Sequence, residues 1–185
     1  MGNAESIQSG GSGDRPGPLV EEGRRLVGMG LHEAAASKFK RAYDLYKESG
    51  STCAAGAALA AAAEAGLMMS TPNYELAATG FEEAGRLLAG NEITAFVAPA
   101  CFTNSLFCLL ATGRGKTAYS KLEEFEQIDI AFVTILEGTA ARKIVTCFTG
   151  GGKAETRDCV EGFKYAESGM PAWRTALLDA IVARL

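Results

Sequence analysis

A single histidine stands in the 185 residues, and no two cysteines fall in CxxC spacing. His32 sits beside Glu33 where a hairpin turn is expected, so it reads as a solvated turn residue. No Ser/His/Asp or Cys/His set can be assembled around it. The five cysteines, at 53, 101, 108, 147 and 159, are scattered singly and odd in number, which speaks against a zinc ribbon and a disulfide framework. They read as buried free thiols in a reducing compartment. No apolar run reaches the roughly 20 residues that span a bilayer. The longest alanine-rich run, 54–67, reads as a packed inner helix. An excess of cations is missing too: 18 Lys and Arg against 22 Asp and Glu leave a net charge of −4. That balance argues against a nucleic-acid-binding surface as the main function. Proline is scarce and alanine abundant, which favours helix, and the 48% hydrophobic content is ordinary for a globular chain.

Residues 74–88, YELAATGFEEAGRLL, supply the organising pattern. Thr71 as N-cap and Pro72 at the first helical position predict where the helix begins. Leu76, Ala77, Phe81, Ala84, Leu87 and Leu88 then fall on one face. Within it, Ala77, Phe81 and Ala84 set a small–aromatic–small order: small residues let a neighbouring helix approach, and the aromatic fills the gap between hairpins. The order recurs as Ala35, Phe39, Ala42, as Ala118, Leu122, Phe125, and as Cys159, Phe163, Ala166, the copies beginning 42, 41 and 41 residues apart. Four copies at near-constant spacing predict an all-α, right-handed α-solenoid of about four helical hairpins resembling tetratricopeptide (TPR) hairpins. The period exceeds the roughly 34 residues of a standard TPR, so each hairpin carries longer helices or loops. Phe39, Phe81, Leu122 and Phe163 are expected as equivalent buried positions on the second helices.

Taken in order, residues 1–18 are Gly/Ser/Pro-rich without apolar periodicity and read as a flexible tail, leaving 19–185 as the helical domain. Predicted helices run over 19–30, 31–49, 52–67 with Thr52 as cap, 74–88, 94–112 with Pro99 as kink or true start, and 116–127. They continue over 130–148 with Asp129 as cap and Gly150–Gly152 as stop, and over 153–167. Pro171 opens a capping helix whose Trp173, Leu177, Leu178, Ile181 and Val182 share a face. The first six residues match M-G-x-x-x-[ST], which marks Gly2 as an N-myristoylation site on an accessible tail. No hydrophobic h-region marks a secretory signal.

Nucleotide and acid–base chemistry find little support. Gly113-Arg114-Gly115-Lys116-Thr117 suggests a phosphate loop, yet Leu110 stands where the motif needs glycine, and a helix rather than a strand precedes it. Carboxylate pairs such as Glu82-Glu83 and Glu123-Glu124 read as polar helix faces. The expectation is a non-enzymatic protein without cofactor or metal. Basic charge gathers in the second half, at Lys116, Lys121, Arg142, Lys143, Lys153, Arg157 and Lys164. Lys116, Lys121, Arg142 and Lys143 are the candidate partner-binding residues, suited to an acidic helical bundle; a solvated rim accounts for the same charges.

The hairpin period and the stretches YELAATGFEEAG, the inner helix with Cys108, AYSKLEEFEQID and the closing TALLDAIVARL after Trp173 resemble the soluble NSF attachment proteins (SNAPs), over about residues 52–185. The resemblance implies a twisted sheet of hairpins closed by a C-terminal helical bundle. It also implies a role as adaptor between SNARE complexes and the ATPase NSF in vesicle fusion and intracellular protein transport. Three features differ from the family pattern: the first two or three hairpins, a Phe-rich membrane-touching loop, and an acidic tail beyond the last helix, where this sequence has Arg184-Leu185. They lead us to expect weak, salt-dependent SNARE affinity and no stimulation of NSF by the chain alone. The alternative is a lipid-anchored TPR-like scaffold in a larger assembly. Both readings place the chain in the cytoplasm with peripheral membrane contact through the N-terminal lipid.

Overall fold

Apolar residues at helical spacing and scarce proline have the expected consequence. The computed structural model describes residues 15–167 and 169–185, and these hold nine α-helices and no strand. They are α1 (Pro16–Gly28), α2 (His32–Glu48), α3 (Thr52–Leu67), α4 (Tyr74–Ala89), α5 (Ala98–Ala111), α6 (Gly115–Ile128), α7 (Leu136–Thr149), α8 (Lys153–Ala166) and α9 (Ala172–Val182). Each of α1 to α5 packs on the next, giving the stacked hairpins of a solenoid. Beyond α5 the packing branches: α7 touches α5, α6 and α8, and α9 closes the array by folding back over α8, α5 and α3.

The four repeat positions are equivalent. Phe39, Phe81, Leu122 and Phe163 lie on α2, α4, α6 and α8, and none is more than 3% exposed. Ring contacts fill the space within and between hairpins: Phe102 of α5 stacks on Phe125 of α6 at 4.3 Å inside the third hairpin, and Phe107 of α5 meets Phe163 of α8 edge-on at 5.7 Å across to the fourth. Helix α5, apolar on nearly every side, buries all its residues except Ala100. Its polar Ser105 is satisfied by donating from Oγ to the Ala78 carbonyl at 2.8 Å.

Close approach is made where side chains are smallest. A Cβ on Gly85 would lie 2.5 Å from the Phe102 ring, so glycine there lets α4 and α5 meet. At the turn into α6, Gly113 adopts φ 79°, a left-handed conformation open to glycine at little cost. The Arg114 amide then bonds back to the Leu109 carbonyl at 2.9 Å, closing the end of α5.

Several boundaries differ from the sequence pattern. Helix α1 begins at Pro16, taking in residues the pattern assigns to the tail. Helix α4 is capped by Asn73, not Thr71: the Asn73 side chain accepts the Leu76 amide at 3.0 Å, and Pro72 precedes the helix. Thr52 is the first residue of α3, and Ser51 holds the cap position. Pro99 marks the true start of α5, after a 3-10 turn at Ala95–Val97. Asp129 caps a second 3-10 turn, Ile130–Val133, and α7 starts only at Leu136. That turn points Phe132 inward, fully buried against Phe102 at 6.2 Å, which a continuous helix from 130 does not provide. In the fourth repeat the core is made by Thr156, Val160 and Phe163, while Cys159 is half-buried and Ala166 exposed. Helix α8 is covered chiefly by α7 and α9, so its inner face is rotated from that of the earlier repeats.

Candidate partner-binding surface

Helix α3 carries alanines that leave room beside it. A cavity of about 410 Å³ opens between α1 and α3, walled by Val20 and Val27 and floored by Ala54, Ala57 and Ala61. Arg24 and Glu64 put one charge of each sign on its lining. Glu64 also faces α9: burial pushes its carboxyl above the usual carboxylate range, and Arg174 partly offsets that. The groove therefore adjoins the region that α9 occupies on α3. Arg174 is itself 5% exposed, ion-paired to Glu167 and set over the Phe163 ring at 5.3 Å. At its other end α9 is tied down by Arg184, whose Nε donates to the Ala111 carbonyl at 2.9 Å.

The four cations singled out in the sequence occupy two packed helices. Lys116 and Lys121 lie on α6, and Arg142 and Lys143 on α7. Their surroundings separate them. The Lys121 ammonium lies 2.7 Å from Glu82 of α4 and 2.9 Å from Glu124, and hydrogen bonds to these two carboxylates hold its pKa above the ordinary lysine value. Arg86 joins the same carboxylates, so α4 and α6 share a four-charge network. Arg142 pairs with Glu126. Lys116 and Lys143 are exposed, Lys143 beside Asp158 at a cavity between α7 and α8. Lys121 and Arg142 thus tie helices together, Arg142 while remaining exposed to solvent as Lys116 and Lys143 are.

A similar tie joins the earlier hairpins: Tyr43 donates to Glu83, and Lys47 bonds to both. These contacts were missed in the sequence, although the repeat carried their signal. Tyr43 and Glu83 are 40 residues apart, Glu82 and Lys121 39, and Arg86 and Glu124 38, close to the period of the apolar pattern.

The remaining sequence candidates occupy ordinary structural positions. His32 is half-buried at the start of α2, and its Nδ1 has no hydrogen-bond partner. Gly113–Thr117 forms a helix–helix turn, with Gly115 inside α6. Cys101 and Cys108 are buried, whereas Cys53, Cys147 and Cys159 are half-buried, a correction to the expectation that all five are buried. Among the described residues no cluster of His, Cys, Asp and Glu could hold a metal ion, and no helix is long and apolar enough to cross a membrane. Gly2 lies outside the described residues.

The match that decides the family covers nearly the whole fold: the model of the soluble NSF attachment protein family, SNAP, matches residues 27–185. The chain belongs to the SNAP family. The matched segment reaches back through α2 into the end of α1, further than the resemblance at 52–185. No curated protein and no solved structure matches the chain. The family takes its name from attachment to NSF. In this SNAP-family chain, the α1–α3 groove and the exposed Lys116 and Lys143 are open surface features of the fold.

Proposed function

We propose that this chain is a non-enzymatic adaptor that binds SNARE-type helical bundles and engages NSF in vesicle fusion and intracellular protein transport. The family match across residues 27–185 carries the reading. The geometry supports it in two ways. The alanine-floored groove on α3, about 410 Å³ in volume and lined mainly by apolar side chains, has small residues that leave a partner helix room to approach. Lys116 and Lys143 add cations that steer an acidic bundle onto the second half of the array, a contribution that weakens with salt over a Debye length of about 8 Å. Lys121 and Arg142 belong to the same basic region, and their carboxylate partners reduce what they offer to a bundle. We further propose that the chain works in the cytoplasm and meets membranes peripherally, with an acyl chain on Gly2 as one contact. A single myristoyl group binds membranes only marginally, so the partner or the folded domain supplies the rest.

The test is capture of the chain on an immobilised SNARE four-helix bundle at low and physiological salt. Lys116→Glu/Lys143→Glu is expected to weaken capture most at low salt, and Ala57→Trp, which fills the groove, to weaken it at both. Wild-type chain that is not captured at any salt overturns the SNARE reading. Absence of capture favours the lipid-anchored scaffold instead; intact mass after co-expression with N-myristoyltransferase tests the acyl contact that both readings share, and an unmodified Gly2 removes that contact.

A further inference from the structure

The last hairpin brings together two cysteines that the sequence scatters. Cys147 lies in the final turn of α7 and Cys159 in the second turn of α8, across the Gly150–Gly152 turn. Their sulfurs are 3.8 Å apart, in van der Waals contact, and both side chains are half-buried. Two observations, its access to an open cavity and its short sulfur–sulfur gap, distinguish this pair from the other cysteines. Cys101 and Cys108 sit in the closed interior of α5, whereas Cys159 lines an open cavity of about 410 Å³ between α7 and α8. The charged groups at that cavity are Lys143 and Asp158; burial, the Cys147 contact and Asp158 hold the Cys159 thiol above its ordinary value, and the Lys143 ammonium offsets them only in part. The two sulfurs need approach only by roughly 1.7 Å to reach the bonded distance of about 2.05 Å, a movement that side-chain torsions can supply.

We propose that Cys147 and Cys159 are a redox modification site, forming a reversible disulfide that staples α7 to α8 when the chain meets a low-molecular-weight disulfide such as glutathione disulfide. The chemistry balances in two exchanges. The Cys159 thiolate attacks one sulfur of glutathione disulfide, forming a mixed disulfide and releasing one glutathione thiolate. The Cys147 thiolate then attacks the Cys159 sulfur, forming the protein disulfide and releasing the second. Two protein thiols are oxidised, one glutathione disulfide is reduced to two glutathiones, and reduced glutathione reverses the process. Cys147 stands one helical turn beyond Lys143, so the staple constrains the helix that presents Arg142 and Lys143.

The full chain is equilibrated in glutathione buffers from reducing to oxidising, quenched in acid, alkylated, and mapped by tryptic peptide mass. Trypsin cuts at Lys153 and Arg157, between the two cysteines, so a linked peptide pair reports the cross-link directly. Linked Cys147 and Cys159 peptides from monomeric chain are expected to appear on oxidation and vanish on reduction, with Cys101 and Cys108 unmodified. Cys147→Ser should bring the linked pair to background and leave glutathione on Cys159. Wild-type chain that ends with separate glutathione adducts, free thiols at both positions, or this linkage only between two chains overturns the proposal. The wild-type map alone is decisive if the variant does not fold.

Discussion

Phe81→Ala removes the ring on which the second repeat and the closing helix both depend. Phe81 is fully buried on α4 and stacks on Trp173 of α9, ring centroids 6.1 Å apart and planes 19° from parallel. Truncating a buried phenylalanine to alanine costs about 3–5 kcal/mol through lost burial and the cavity left behind. Losing the ring pair brings the total toward the upper end of that range. In a domain of this size each kcal/mol shifts the unfolding midpoint by about 2–4 °C, so the variant should melt about 8–20 °C below wild type. Trp173 is the only tryptophan, so its emission reports on α9 alone while far-UV circular dichroism follows all the helices. The variant should show red-shifted emission while still helical, because Trp173 has lost the ring it stacks on. Phe81→Leu keeps most of the volume and should lose less than half as much. A loss below about 1 kcal/mol with unchanged Trp173 emission would refute the reasoning, since a residue so placed must then be dispensable to the packing.

Two glycines make a matched pair. A Cβ on Gly138 would lie 1.6 Å from the Phe132 carbonyl oxygen, so Gly138→Ala must displace backbone and should cost about 3 kcal/mol or more in urea unfolding. Gly162 in α8 has nothing within 4 Å, so Gly162→Ala should gain up to about 1 kcal/mol from helix propensity. Stability should also fall in alkali. Burial pushes the Cys101 thiol up to about 12 and raises Cys108 as well, while unfolded thiols titrate near 8.5. Below about pH 8.5 both states keep the protons; above it only the unfolded chain releases them, so each thiol lowers stability by about 1.4 kcal/mol per pH unit. Cys108→Ala should remove about half of the slope these two thiols cause between pH 8.5 and 10, read from urea midpoints. Finally, Lys121→Glu should cost about 1–3 kcal/mol by placing a third carboxylate beside Glu82 and Glu124, whereas Lys116→Glu and Lys143→Glu should stay within about 0.5 kcal/mol of wild type.

How far the fold can be read from sequence depends on where the determining contacts lie. The equivalence of Phe39, Phe81, Leu122 and Phe163 was legible because each is set by the periodicity of its own helix. The start of α7 was not. Asp129 has the residue type of a helix cap and does cap, but the element it caps is a 3-10 turn that seats Phe132 on Phe102, a residue of a distant helix. The fourth repeat misled for a related reason: Thr156 enters the core because its Oγ donates to the Gly152 carbonyl at 2.6 Å, so a polar residue sits where an apolar pattern is sought. At the surface, charge was legible and its partners were not. Lys121 and Arg142 read as free cations until the carboxylates of Glu82 and Glu126 are placed beside them. The α1–α3 groove left no sequence signal beyond small residues, which serve equally well for tight packing.

The adaptor role is tested most directly by co-capture. A SNARE four-helix bundle is immobilised, NSF is held in a non-hydrolysing nucleotide state, and NSF retention is measured with and without this chain at low and physiological salt. The account predicts that NSF is retained only when the chain is present, more strongly at low salt, and less with Lys116→Glu/Lys143→Glu. Equal NSF retention with and without the chain, at either salt, would contradict it.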